Sequence, residues 1–377
     1  MSAGLSGEGL RRARARAQLL DASREGTVRS ATAVVSTLVG VQAQDPAAAA
    51  LAVGARASGL ATGDVDAALG DERSLVLTWS LRGTRHLHAG SDVRWLVALL
   101  GPKFARPGRR AEQLGIAGDI GDNAVRVVRD ELASGGPLTR PEVKERLAVH
   151  GVDPSGQAAI HVLHRAALEG ILCVLPSSGG EERYVLLNDW VAAAPAIDPD
   201  RAAVLLARRY LASFGPASPA DFAAWSGLAA GVARRAWAEL GAELTEVSIP
   251  GGTSWLLADQ WADVEAAVHE SGPLRLLGGF DSLLLGYADR SGFLDPAHSE
   301  RVNAGGGIIR PTVVVDGEVV GTWAYRRSRR PDRVEVETFR PLRDDETEAL
   351  EQEVVDVSRF LGTGPLTTDV SVASGET

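Results

Sequence analysis

The sequence predicts an α+β fold: three tandem winged-helix units followed by a small C-terminal β-barrel-like domain. Two observations predict it. Ala/Leu-rich helical runs followed by a pair of strand-like segments, the order of a winged helix, recur three times at roughly 70–110 residues per copy. From residue 272 the pattern then changes to short strand-like segments around an Asp316-Gly317 hairpin turn. The expected divisions are 1–115, 116–194, 195–270 and 271–377. With 377 residues and 45% hydrophobic content, the chain can bury several cores.

The first unit begins with a basic helix, Leu10 to Ala22. Helical runs follow from Thr32 to Val39 and from Pro46 to Ala57, with a short one near Asp64 to Leu69. Gly40 suits the position just past a helix end, where a left-handed φ carries no Cβ penalty. Asp45 suits the N-cap and Pro46 the first helical position. Val41-Gln42-Ala43-Gln44 is left as an extended joint. Side chains two apart on an extended chain share a side. Gln42 and Gln44 should therefore project together, with Val41 and Ala43 packing behind. Ser74 to Ser80 and Gly83 to His88 close the unit as two β segments.

The second unit opens with a helix from Asn123 to Ala133. Thr139 and Glu142 have capping-box spacing for the next helix. Ser155 opens a third, on which Ile160, Leu163, Ala167 and Ile171 form an apolar stripe. Leu172 to Leu175 and Arg183 to Leu187 make the hairpin, with Ser177 to Gly180 as its tip. In the third unit the helices are Arg201 to Phe214, Ser218 to Trp225 and Ala230 to Leu240, and the hairpin turns at Pro250-Gly251-Gly252. Beyond residue 272 the expected strands are Leu274 to Leu277, Ser282 to Tyr287, Ile308-Ile309, Thr312 to Val315, Val319 to Tyr325 and Arg333 to Thr338. An acidic amphipathic helix, Asp344 to Leu361, precedes a tail expected to be mobile.

Composition narrows the function. The single cysteine, Cys173, excludes an internal disulfide, and no Cys/His grouping has zinc spacing, so no metal is expected. The N-terminus lacks the pattern of a signal peptide, and no apolar run reaches membrane-helix length; a cytoplasmic monomer without a cofactor is expected. Net charge is −10, which taken alone argues against nucleic acid. The distribution matters more: acid clusters in the C-terminal third, while Arg11 to Arg16, Arg82 to Arg94, Lys103 to Arg110 and Arg326 to Arg330 are basic. There is no Gly-x-Ser-x-Gly elbow, phosphate loop or His-Glu-x-x-His.

Val41-Gln42-Ala43-Gln44 followed by Asp45-Pro46 resembles the glutamine-aliphatic-glutamine motif of the AlkZ-type bacterial DNA glycosylases. Trp79 to His86, Tyr210 to Trp225, Phe280 to Tyr287 with Asp289-Arg290, and Gly317 to Trp323 also match this winged-helix family. The resemblance covers about residues 10–330. It implies a concave surface for double-stranded DNA and excision of guanine alkylated at N7, including bulky adducts and interstrand crosslinks, in bacteria that make DNA-alkylating antibiotics.

An N7-alkylated guanine is cationic, so it leaves as a neutral base with little need of protonation. What remains is to stabilise an oxocarbenium-like sugar and place a water. Carboxamides are poor bases near neutral pH, but their oxygens can orient a water and face developing positive charge. Gln42 and Gln44 are the candidate catalytic pair. Without the resemblance they read as a solvated linker. No lysine lies near them, which argues against Schiff-base chemistry. The bland role of Asp45 is the N-cap. Arg82, Arg85 and His86 on the first hairpin are candidates for phosphate or sugar contacts, with His88 structural. Lys103, Arg106, Arg109 and Arg110 form a candidate backbone-tracking patch in a Gly/Pro-interrupted loop. Arg290, His298 and Arg301 border the Gly305-Gly306-Gly307 loop, a candidate for approach to the minor groove. Trp79, Trp95, Trp225, Trp237, Trp255 and Trp323 read as core packing. The competing class is a non-catalytic winged-helix regulator. The Ala-rich third helices disfavour base readout of that kind.

Overall fold

The computed structural model describes residues 3–21, 29–178, 181–327 and 332–373. Gly179 and Gly180 of the expected hairpin tip, Ser328 to Arg330 of the basic run and the last four residues of the tail lie outside them. The chain is mixed α and β and divides into two compact units. One comprises residues 1–65, 204–225 and 229–377; the other comprises 66–203 and 226–228. Each is described by itself.

In the larger unit, the Gly7–Ala17 helix is capped by Ser6 and packs Ala13 against Val247, Leu256 and Val264. Ala3–Gly4 adds in parallel to the Leu244–Ile249 strand, which pairs antiparallel with Gly252–Leu257. Helices Ala31–Thr37 and Pro46–Gly54 flank the glutamine joint. The Pro199–Phe214 helix delivers Tyr210 and Phe214 to an aromatic cluster with Phe222, Trp225 and Tyr287, ring centroids 5.0–6.5 Å apart where they pair. Such contacts add about 0.5–1.5 kcal/mol per pair beyond burial.

The same unit holds a five-stranded sheet in the order Arg275–Leu277, Thr312–Val315, Glu318–Arg326, Arg333–Thr338 and Thr367–Val372. It does not close. The expected barrel is therefore corrected to an open sheet: the first strand is three residues long, and the last runs parallel to its neighbour as an exposed edge. The acidic helix forms over Asp344–Leu361 as expected, and Leu350, Val354 and Val357 cover one face of the sheet. At the turn, Asp316 and Gly317 take φ of 51° and 75°, the double left-handed geometry of an Asp-Gly hairpin.

Two further expectations fail here. Ser282–Leu285 is a helical turn capped by Asp281, not a strand. Periodicity cannot separate the two in so short an apolar run. Ile308-Ile309 forms no strand; Ile309 makes only a single bridge to Asn303. The tail beyond Gly362, expected to be mobile, supplies the Thr367–Val372 edge strand. The Gly/Pro-interrupted loop is also corrected: Gly101, Pro102 and Lys103 lie in the last turns of a helix, Gly90–Phe104.

The smaller unit carries strands in the order Arg85–Ala89, Leu75–Trp79, Leu172–Ser178, Glu181–Leu186 and Leu138–Thr139. Gly118–Gly135, Arg140–Val149 and Ala158–Leu168 are its main helices besides Gly90–Phe104. The Thr139/Glu142 capping box forms: Thr139 N donates to Glu142 Oε2 at 2.7 Å. Val76, Val93, Val97, Cys173 and Val185 share the core. Burial pushes the Cys173 thiol up to about 12.

Gly101 marks a close approach of two helices in this unit. A Cβ there would sit 1.8 Å from the Leu168 carbonyl oxygen. Gly101→Ala must push two helices apart, and we expect a stability loss of at least about 1–3 kcal/mol, read as a lower urea midpoint.

Candidate functional site

The glutamines sit on a joint whose backbone is not relaxed. The first flanking helix ends at Thr37. Val39 then takes φ 60° and Gly40 φ 144° before the chain extends through Val41 and Gln42. A β-branched residue in the left-handed region costs about 1–3 kcal/mol, so its surroundings must impose it. They do: Arg209 donates to the Ser36 carbonyl oxygen, and Ser213 donates to that of Thr37. These two side chains satisfy terminal carbonyls of the helix and fix where it stops. The expected role of Gly40 thus falls on two residues, not one.

Beyond the joint, Asp45 caps the second helix, its Oδ1 accepting from Ala47 N at 2.9 Å and Ala48 N at 3.3 Å. Val41 and Ala43 are each 1% exposed, whereas Gln42 is half-buried and Gln44 exposed. Burial thus alternates along the joint, with the aliphatic residues in the core and the two glutamines more accessible.

The second helix is anchored at its far end. Arg56 and Asp281 are wholly buried and form a bidentate pair at 2.8 and 2.7 Å. Arg56 also donates to the carbonyl oxygens of Gln18 and Ala52. Asp281 caps the Ser282–Leu285 turn through Leu283 N. Gly278 packs on the first turn of the glutamine-side helix, where a Cβ would lie 2.7 Å from the Ala48 carbonyl oxygen. Between them Phe280 is held at φ 58°, a second strained position bordering the same strip. Arg56 escaped the sequence reading, and the left-handed backbone of Phe280 was not foreseen in the stretch that carries the resemblance. An arginine at the end of an Ala/Val/Leu-rich helix was a usable signal, because arginine is almost never fully buried without a partner.

The other candidates in this unit lie around residues 290–310. Arg290 is half-buried, donates to Asn303 Oδ1 at 3.0 Å, and has its pKa lowered by burial. His298 stacks on Phe339 at 4.2 Å between centroids. Arg301 pairs with Glu337 at 3.3 Å.

The remaining candidates belong to the smaller unit. Arg82 takes φ 53° at the turn of the first hairpin. Arg85 pairs with Glu182 at 2.7 Å and lies over the Trp79 ring. His86 is corrected. Expected to contact phosphate or sugar, it is 2% exposed, its Nδ1 lies 3.1 Å from the Thr84 carbonyl oxygen, and its ring stacks on His88. Burial, then the charge of Arg82, hold its pKa well below 6.5, so it stays neutral. His88 is structural as expected, 2.6 Å from Ser80 Oγ. Lys103, Arg106, Arg109 and Arg110 are all exposed. Lys103 donates to the Gly227 carbonyl oxygen and Arg110 to Gln157 Oε1 at 2.9 Å. Arg106 lines a groove of about 540 Å³ with Arg94 and Arg165. Of the tryptophans read as packing, Trp79, Trp95, Trp225, Trp237 and Trp323 are buried and Trp255 is half-buried. Among the described residues no cluster of His, Cys, Asp and Glu could hold a metal, and no helix is long and apolar enough to cross a membrane.

Comparison with known proteins turns this geometry into an identification. The family model described as DNA glycosylase AlkZ-like matches residues 35–360. The chain belongs to this family. Like its other members, it is a DNA glycosylase. It is 31% identical over 367 residues to an interstrand DNA cross-link repair glycosylase of Streptomyces sahachiroi, covering 90% of this chain and 93% of the relative. The solved structure of Streptomyces sahachiroi DNA glycosylase AlkZ superposes with a TM-score of 0.83 at 29% identity, covering 98% of this chain and all of that one. The non-catalytic alternative is thereby set aside.

Two outcomes follow from the buried polar groups of this AlkZ-like chain. Arg56→Ala strands the Asp281 carboxylate without its partner and should cost about 3–5 kcal/mol in urea denaturation. The second concerns pH. The unfolded chain protonates His86 near its ordinary value of 6.5, while the folded hairpin refuses the proton. Its contribution is therefore intact above that pH and erodes below it, by up to about 1.4 kcal/mol per pH unit. Urea midpoints at pH 7.5 and 5.5 should converge in His86→Phe relative to wild type.

Proposed function

We propose that this glycosylase hydrolyses the N-glycosidic bond of N7-alkylated deoxyguanosine in duplex DNA, bulky and crosslinked adducts included. The observation that supports the reading is the burial pattern of the joint: Val41 and Ala43 are buried, while the neutral carboxamide residues Gln42 and Gln44 keep access to solvent. The name of the 31% identical relative, a cross-link repair enzyme, supports the substrate class. Alkylation at N7 has already made the base a good leaving group. The enzyme then has two tasks: to aim a water at C1′ and to face the cationic sugar with oxygen dipoles. Gln44, the exposed member, holds the water; Gln42 lies against the sugar or its phosphate. Preorganised donors and acceptors of this kind contribute about 3–4 kcal/mol each. Asp45 Oδ1 caps the helix through two N–H groups, which supports a structural role for this carboxylate beside the amides.

The helices-then-hairpin order of residues 31–89, 118–186 and 199–257 supports reading them as three winged helices that bind the duplex through its backbone. Arg82, Lys103, Arg106, Arg109 and Arg110 supply cationic groups for it. Such an activity would protect a bacterium that makes an alkylating antibiotic, with the protein acting as a monomer in the cytoplasm.

Incubation with duplex bearing a single N7-alkylguanine, followed by alkali, scores abasic sites. Wild type should generate them. Gln42→Ala and Gln44→Ala should slow single-turnover excision about 100- to 1000-fold while keeping duplex affinity. Undiminished rates in both variants would remove the amides from the chemistry.

A further inference from the structure

The groove of the smaller unit that Arg94, Arg106 and Arg165 line runs along one helix face. Arg94, Ala98, Pro102 and Ala105 all line it, and their spacing of three or four residues makes them a single stripe of the Gly90–Phe104 helix and its C-cap. At 1.5 Å per residue the stripe is about 16 Å long. Arg106 stands just past its end. The facing wall comes from the Ala158–Leu168 helix, which approaches where Leu168 presses on Gly101. Val97, Leu168 and Leu187 give the groove an apolar floor, each buried in the core beneath it.

The three cations are satisfied differently. Arg165 donates from Nη2 to Asp122 at 2.5 Å and from Nε to Glu169 at 2.7 Å, so two carboxylates offset its charge. Arg94 is held by neutral acceptors instead. Its Nε donates to the Ala192 carbonyl oxygen at 2.8 Å, Nη1 to Asn188 Oδ1 at 2.8 Å and Nη2 to the Val191 carbonyl oxygen at 2.6 Å. A guanidinium carries five N–H donors, so two remain on a side chain already fixed in place. Arg106 is exposed and has no hydrogen-bond or ion-pair partner among the described residues. Two cations without counter-charge thus stand at the two ends of an apolar trough of about 540 Å³. That volume is within the range of small-molecule sites.

A phosphate backbone would use the cations and leave the apolar floor wet. A neutral apolar molecule would use the floor and leave the cations unmatched. An acid with an apolar body uses both. We infer that this groove binds a small amphipathic organic anion, a carboxylate or sulfonate head on an apolar body. Arg94 takes the head with its two spare donors, the body lies on Val97, Leu168 and Leu187, and Arg106 closes the far end. The site belongs to the smaller unit, the glutamine joint to the larger, and the inference does not rest on the excision reading.

Anilinonaphthalene sulfonate has this chemistry and fluoresces when its rings leave water. Titrated into the full chain, it should give a saturable, one-site enhancement. Ala98→Trp lays an indole over the trough from an exposed helix position and should abolish the enhancement with the thermal midpoint unchanged. Arg106→Gln removes one free cation and should weaken binding about 10-fold. Competition with decanoate and with phenylbutyrate separates a fatty from an aromatic acid, and displacement by either upholds the site. No enhancement, or one that Ala98→Trp leaves intact, overturns it. Displacement by inorganic phosphate or undamaged duplex but by neither acid also overturns it, because the groove then serves phosphate. Should Ala98→Trp fail to fold, Arg106→Gln decides: undiminished affinity overturns the site.

Discussion

The Arg56–Asp281 ion pair is the constraint on which the glutamine joint depends. Neither side chain is exposed, and each satisfies further backbone groups besides its partner. A buried pair of this kind contributes little net stability against an apolar replacement, because desolvation consumes most of the Coulombic gain. What it does supply is position. It locks the end of the Pro46–Gly54 helix to the segment that carries Gly278, Gly279 and Phe280, and that segment packs on the helix start beside Gln44.

From that anchor the two strained residues make sense together. Val39 enters the joint left-handed, and Phe280 borders it left-handed from the other side. Both are unfavourable in isolation and both are imposed by side chains elsewhere in the same unit: Arg209 and Ser213 on one, Arg56 and Asp281 on the other. A site that uses neutral amides in place of a base has no large driving force of its own. If the amides act as proposed, the rate depends on dipoles being aimed before the substrate arrives, and rigid supports provide that aim.

The sequence disclosed what local chemistry controls. Asp45-Pro46 announced a helix start, and the Asp344–Leu361 helix was readable from its amphipathic period. Long-range contact decided the rest. Nothing near Gly101 reveals that Leu168 presses against it, so a helix read as a loop. The Thr367–Val372 strand exists because Arg333–Thr338 offers an edge more than thirty residues away. His86 looked available because a hairpin histidine usually is; its burial follows from tertiary packing that no pattern within the hairpin encodes. The strained backbone of Phe280 and the full burial of Arg56 belong to the same class.

Cys173 has one more implication. It is the chain's single cysteine, it lies in the core, and its sulfur stays protonated far above physiological pH. Thiolate, not thiol, is the reactive form. The protein therefore presents no thiolate to electrophiles in its surroundings, and its lysines are only two, Lys103 and Lys144. The folded chain thus withholds its one thiol from alkylation and oxidation.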